Sequence, residues 1–332
     1  MKTPVALLPD RRTLATRLAN VFNGNGSPRR RVAILARGRP EMMSTFPNEV
    51  VKCRLPDGRA RRVFIKYEAG RRHDAFGHRG GVAYEAAVYR QVLGALPGFR
   101  PRCLGTDFDS KSGGTWLVLE CLDRCVRVSD IQVNQARRQP RAVAQMARWL
   151  GEFHATHEAR AASGAFPFLH RYDARYFRGW ARRTAEYTQP LCDDFPWLAG
   201  LCQRSAEWAA PLLAAPPTII HGEFYAKTVL LRRNQIFPVD WESAAIAAGE
   251  IDLAALTEGT GWTAKLVQRC EREYQRARWP EGAPADFHQR LEAARIYLHF
   301  RWLGERPDWA VRLKTRWRYE HLYAVATRFG LI

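Results

Sequence analysis

The sequence predicts an α+β chain in which a small antiparallel sheet carrying one helix precedes a mainly helical region. Three observations support this: an Asp57-Gly58 pair between two apolar runs, a change of apolar period after the glycine-rich stretch 77–81, and the helical spacing that dominates beyond Asp130. At roughly 150 residues per domain, a chain of 332 residues suggests about two domains. With 46% hydrophobic and 26% charged residues it falls outside the disordered, collagenous and coiled-coil classes. No apolar run approaches the ~20 residues of a membrane span, and the first residues lack the apolar core of a signal peptide. The expectations are therefore no membrane span and a cytoplasmic location.

Residues 1–31 read as a poorly ordered basic lead-in, with Asn23-Gly24-Asn25-Gly26 as a loop. Val32 to Leu35, Glu49 to Leu55 and Val63 to Tyr67 read as strands, and Pro56-Asp57-Gly58-Arg59 joins the second to the third. Tyr84, Val88 and Val92 then recur at helical steps, with Glu85 on the flank of the stripe, where a partly buried carboxylate requires a partner. Trp116 to Glu120 is a fourth strand. Residues 32–122 form the first domain on this reading and 123–332 the second. In the second, Val143, Met146, Leu150 and Phe153 mark one helix, Tyr176–Tyr187 and Leu201–Leu213 two more. Short β segments follow at Thr218–Ile220, Val229–Leu231 and Ile236–Val239, then helices with Phe287, Leu291, Ala294, Leu298 and Trp302 on one stripe.

The charge is unusual: 52 basic against 33 acidic residues give +19, and residues 1–80 alone hold 18 basic and 6 acidic. Such a surplus suits a polyanion-binding surface, but no Cys/His finger or RNP-type motif accompanies it, which disfavours nucleic acid as a partner. Seven cysteines without paired spacing read as reduced core residues. His154 and His157 lack a third ligand nearby in sequence and read as structural.

Chemistry concentrates in His221-Gly222-Glu223-Phe224-Tyr225-Ala226-Lys227-Thr228 and in Pro238-Val239-Asp240-Trp241-Glu242, polar groups set between short apolar strands. Two carboxylates delivered by consecutive short strands suit metal-assisted phosphoryl transfer, where one orients a hydroxyl and the other holds the cation. Here the sequence resembles the aminoglycoside phosphotransferase and choline kinase superfamily, relatives of the protein kinases. That family carries a His-x-Asp-x-x-x-x-Asn loop and, after a hairpin, an Ile-Asp-[Phe/Trp]-[Glu/Asp]-like segment. The matching positions are His221, Glu223, Thr228 and Asp240 with Trp241-Glu242. Gly249-Glu250-Ile251-Asp252 resembles the downstream motif whose Asp braces the loop.

The resemblance covers about residues 32–310 and implies a two-lobed protein-kinase-like fold that binds ATP and Mg²⁺. It implies Lys66 and Glu85 as the phosphate clamp, Ser44 and Thr45 as hydroxyls meeting phosphates, and Glu120 at the nucleotide hinge. Glu223 would be the catalytic base, Lys227 a helper near the γ-phosphate, Asp240 the main metal ligand and Thr228 an auxiliary one. Two departures stand out: Glu223 is one methylene (~1.5 Å) longer than the usual Asp, and Thr228 replaces Asn. They keep open a nucleotide-binding or scaffolding protein without transfer, beside the phosphotransferase and polyanion-binding readings. The acceptor is a small-molecule hydroxyl of open identity: sugar, nucleoside or anionic metabolite. A polycationic aminoglycoside is disfavoured by the 14 basic and 8 acidic residues of 261–332. Oligomeric state is not legible.

Overall fold

The computed structural model describes residues 8–23, 31–39, 46–55, 57–68, 76–109, 113–131, 138–258 and 261–332. The chain divides into two compact units. One comprises residues 1–74, 79–125 and 239–242, and the other residues 75–78, 126–238 and 243–332.

The first unit contains α1 (Arg11–Asn23), β1 (Ala33–Gly38), β2 (Asn48–Arg54), β3 (Ala60–Tyr67), α2 (Gly81–Gln91), β4 (Cys103–Asp109) and β5 (Gly114–Glu120). The strands form an antiparallel sheet in the order β1-β2-β3-β5-β4. Gly58, at φ +84°, turns the β2–β3 connection as the Asp-Gly pair predicts; Pro56 lies outside the described residues. Alternation along β3 sends Val63, Ile65 and Tyr67 to one face and Lys66 to the other. The first set packs with Val51, Cys53, Trp116 and Val118, and with Leu14 and Leu18 of α1.

α1 corrects the expectation of a poorly ordered lead-in. Leu14 and Leu18 share a helical face at i, i+4 and are fully buried, while Arg17 pairs with Asp107 and Asp109 of β4 at 2.9 and 2.8 Å. This unit accordingly has a second helix beside α2. β4 was also missed, because its seven residues Cys103–Asp109 show no apolar alternation and, apart from the exposed Phe108, lie half-buried at the sheet edge.

The second unit contains β6 (Val126–Arg127), α3 (Arg138–Ala162), β7 (His170–Arg171), α4 (Ala174–Thr188), α5 (Trp197–Gln203), α6 (Ser205–Ala214), β8 (Pro217–Ile220), β9 (Val229–Arg232), β10 (Gln235–Pro238), β11 (Ala245–Ala248), α7 (Glu250–Thr257), α8 (Ala264–Arg278), α9 (Phe287–Leu303), α10 (Pro307–Ala310) and α11 (Arg316–Phe329). It is mainly helical, as expected, although the helix predicted over 201–213 is split between α5 and α6 at Arg204. Its short strands form two small sheets, β10-β9-β6 and β7-β11-β8. Phe287, Leu291 and Ala294 of α9 lie in one apolar cluster with Trp180 and Trp208. Of the seven free cysteines, Cys53, Cys202 and Cys270 are buried, but Cys192 is exposed, so the core reading fails there. No helix among the described residues is long and apolar enough to cross a membrane.

Candidate functional site

In the first unit, β3 aims Lys66 away from the α1 face, and its ammonium lies 2.7 Å from Glu85 of α2 and 2.5 Å from Asp240. Glu242 follows at 3.6 Å. Lys66 and Glu85 are buried, whereas the Asp240 side chain is one-third exposed. Asp240 adopts a left-handed φ of +71°, a conformation Asp tolerates better than most residues. The backbone N–H of Trp241 donates to the other Glu85 oxygen at 3.1 Å. Gly80 N–H donates to the Glu242 carbonyl at 2.8 Å. The segment 239–242 is thereby fixed by its backbone as well as its charges.

Burial opposes the Lys66 charge, but Asp240, Glu85 and Glu242 outweigh it and hold its pKa well above the usual lysine value. Three carboxylates surround one ammonium, an excess of negative charge. Burial, then the charge of Asp240, push the Glu242 carboxyl up to about 8 against the pull of Lys66 and Arg79. One carboxylate oxygen from each of Glu85, Asp240 and Glu242 lies within 4.8 Å of the others, and among the described residues the buried Glu242 Oε2 has no hydrogen bond. An all-oxygen donor set with surplus negative charge fits a hard divalent cation.

A pH dependence follows. The folded chain keeps the Glu242 proton to about pH 8, against 4.5 for an ordinary glutamate. Because the folded state binds this proton more tightly, the group's contribution to stability is full below about pH 4.5 and is lost as pH rises to about 8. Urea unfolding of metal-free protein should show that Glu242→Gln flattens this decline. An unchanged profile would show that Glu242 is already ionised in the folded chain.

In the second unit, β8 ends at Ile220 and delivers the loop 221–228. Its backbone is braced by Asp252 of α7, which accepts from the N–H of His221 at 2.6 Å and of Gly222 at 2.9 Å. Burial raises the Asp252 carboxyl to about 6 despite these bonds. Gly222 has φ +80°, and a Cβ there would lie 2.2 Å from the Ser243 carbonyl oxygen, so only glycine fits. His221 Nδ1 accepts from the Glu223 N–H at 3.3 Å, so its ring holds the loop. His154 stands behind Asp252 at 3.4 Å and bonds Tyr274; burial keeps its pKa well below the usual range, as for a core histidine.

Glu223 is buried, with one oxygen 3.4 Å from the Arg301 guanidinium of α9 and 3.4 Å from His78 Nε2. Arg301 also bonds Glu305 at 2.8 Å and the Tyr225 hydroxyl at 2.6 Å. Sequence reasoning missed Arg301 and His78. The available signal for the former was an Arg-x-x-x-Glu pair, Arg301 and Glu305, on an otherwise apolar helical stripe.

Three further expected site residues, Thr228, Glu120 and Lys227, have these surroundings. The Thr228 hydroxyl lies 2.8 Å from the Glu223 carbonyl and 3.2 Å from the Tyr225 N–H, so it closes the loop on itself. A threonine is short enough to reach its own loop backbone. The Glu120 carboxylate is held by Arg100 at 2.9 Å and receives the Arg102 N–H at 3.3 Å, which occupies its side chain. Lys227 is exposed, its ammonium 5.0 Å from the Tyr225 ring. Ser44 and Thr45 lie outside the described residues.

Comparison with known proteins agrees with this pattern. A choline kinase from Streptococcus pneumoniae, LicA, superimposes with a TM-score of 0.59 at 13% identity, over 89% of this chain and 94% of that one. The GDP complex of aminoglycoside 2'-phosphotransferase-IIIa gives 0.61 at 13% identity, over 96% and 99%. A choline kinase from Cryptosporidium parvum Iowa II gives 0.60 at 12%, over 96% and 98%. These likenesses show a two-lobed, kinase-like fold. A search of curated protein sequences gave no match. The model of the phosphotransferase enzyme family matches residues 54–310, which span the Lys66 cluster, the 221–228 loop and Asp252. The chain therefore belongs to the phosphotransferase enzyme family.

Proposed function

We propose that this protein is an ATP- and Mg²⁺-dependent kinase that phosphorylates a hydroxyl of a small molecule. The observation that carries the reading is the buried Lys66 ammonium held by Glu85 and Asp240. Buried ion pairs add little stability over apolar side chains of the same volume. A surplus of carboxylates around one lysine is therefore better accounted for by ligand binding.

In this reading Lys66 pairs with the α- and β-phosphates and Glu85 keeps its ammonium extended. Asp240, with Glu242, would hold the divalent cation, which would supply positive charge to neutralise the phosphates. Glu223 takes the proton of the acceptor hydroxyl as its oxygen bonds the γ-phosphorus, and the bond to the β,γ-bridging oxygen breaks to release ADP. Asp252, His221, Gly222 and Thr228 are positioning groups that fix the backbone on which Glu223 sits. A second reading, nucleotide binding without transfer, is favoured by one observation: a base 3.4 Å from a guanidinium accepts a proton less readily.

Nucleotide binding is tested first. A ligand that binds only folded protein adds ~2.7 kcal/mol at a hundredfold excess over its Kd, so MgATP should raise the melting temperature. Asp240→Ala should remove the Mg²⁺-dependent part of that rise, and Lys66→Ala should weaken binding with or without metal. No shift and no heat of binding at millimolar MgATP would overturn both readings. A screen of metabolites for an ATP-dependent gain of one phosphoryl group then separates them.

A further inference from the structure

Three cationic side chains of the second unit gather on one indole. The guanidinium of Arg301 lies 4.6 Å from the Trp302 ring, that of Arg318 4.4 Å, and the Lys227 ammonium 6.0 Å. Their counter-charges are unevenly shared, since Glu223 and Glu305 both contact Arg301. Among the described residues no ion pair within 4.0 Å and no hydrogen bond joins Arg318 or Lys227 to a carboxylate, although Glu258 and Glu305 attract Arg318 from farther away.

Arg318 is the more telling of the two. It is partly buried, stacked on Trp302 and, at 4.3 Å, on Trp317, and burial pushes its pKa down to about 10, with Arg301 adding repulsion. The Nε of Arg301 is likewise buried without an acceptor among the described residues. Guanidinium groups lose much of their hydration when stacked and enclosed, and each loss is made good by an anion that accepts from the planar fork. The aromatic surface that would otherwise receive a cationic ligand is covered by the protein's own cations. The same ring set reaches the candidate base: Tyr225, whose hydroxyl binds Arg301 and Trp302 Nε1, lies in the electrostatic reach of Glu223 and Arg318.

We infer that the acceptor carries an anionic group, a carboxylate or a phosphate, bound by Arg318 with Lys227 beside it, so that its hydroxyl is presented to Glu223. The inference rests on the phosphotransferase reading only in calling that molecule the acceptor; the anion site is tested without nucleotide or turnover.

Binding of inorganic phosphate and of acetate is followed by tryptophan fluorescence in wild type, Arg318→Gln and Arg318→Lys, with choline and glucosamine as cationic comparators. Wild type should bind at least one of the two anions at least tenfold more tightly than Arg318→Gln, with Arg318→Lys in between and neither cation bound. Acetate or phosphate as the tighter probe distinguishes a carboxylate from a phosphate acceptor. Equal anion affinity in wild type and Arg318→Gln, or saturable binding of choline or glucosamine, would overturn the inference. A normal MgATP shift in that case would leave the kinase reading intact. An Arg318-dependent anion site in a protein indifferent to MgATP would keep the site and remove the kinase reading. Far-ultraviolet circular dichroism of each variant confirms that α11 is folded.

Discussion

Glu223→Gln should lower phosphoryl transfer by ~10²-fold or more while leaving MgATP affinity nearly unchanged. The amide keeps the length of the side chain and an oxygen for the Arg301 guanidinium, which stands 3.4 Å away and retains Glu305 as its counter-charge. What it removes is the acceptor for the hydroxyl proton. Steady-state kinetics with the acceptor found by the metabolite screen, beside calorimetric titration of MgATP, measure the two quantities separately. A variant as active as wild type would remove Glu223 from the base role. Equal and negligible transfer by both proteins, with intact MgATP binding, would favour the nucleotide-binding reading, in which the contact with Arg301 has suppressed the base.

The second large effect is expected from Asp252→Ala. Its two oxygens accept from the N–H groups of His221 and Gly222, and all three residues are buried. Removing the carboxylate leaves two enclosed donors unpaired, at ~1–3 kcal/mol each. Loss of its own desolvation, visible in a carboxyl raised to about 6, offsets part of that cost. The net expectation is a loss of about 2–4 kcal/mol in urea unfolding, by the same donor estimate. Turnover should fall ~10²-fold because a misplacement of ~1 Å at a catalytic group is enough for that. Asp252→Asn should lie between, since its amide can serve one N–H and opposes the other. Unchanged stability would show that the loop is held by Gly222 and His221 without the α7 carboxylate.

Local sequence determined a good deal of this protein. The Asp57-Gly58 hairpin, the strand that carries Lys66 and the helix that carries Glu85 are written in short-range patterns, because turn chemistry and apolar period act within a few residues. The loop at 221–228 was legible for the same reason: glycine and polar groups are concentrated between two apolar strands. A family resemblance then supplied the pairing of Lys66 with Glu85, which no local pattern contains.

Tertiary structure alone decided the rest. α1 was hidden because only Leu14 and Leu18 of its apolar residues are fully buried, within an arginine-rich stretch, and its order comes from burial on the sheet and from Asp107 and Asp109. Thr228 turns inward onto its own loop, a choice set by the reach of one hydroxyl to nearby backbone. The partners of Glu223 come from residues 78 and 301, and the cations around Trp302 from residues 227, 301 and 318. A charge carries no mark in the sequence of the neighbour it will meet. Packing chose those neighbours, and with them the cluster from which we infer an anionic acceptor.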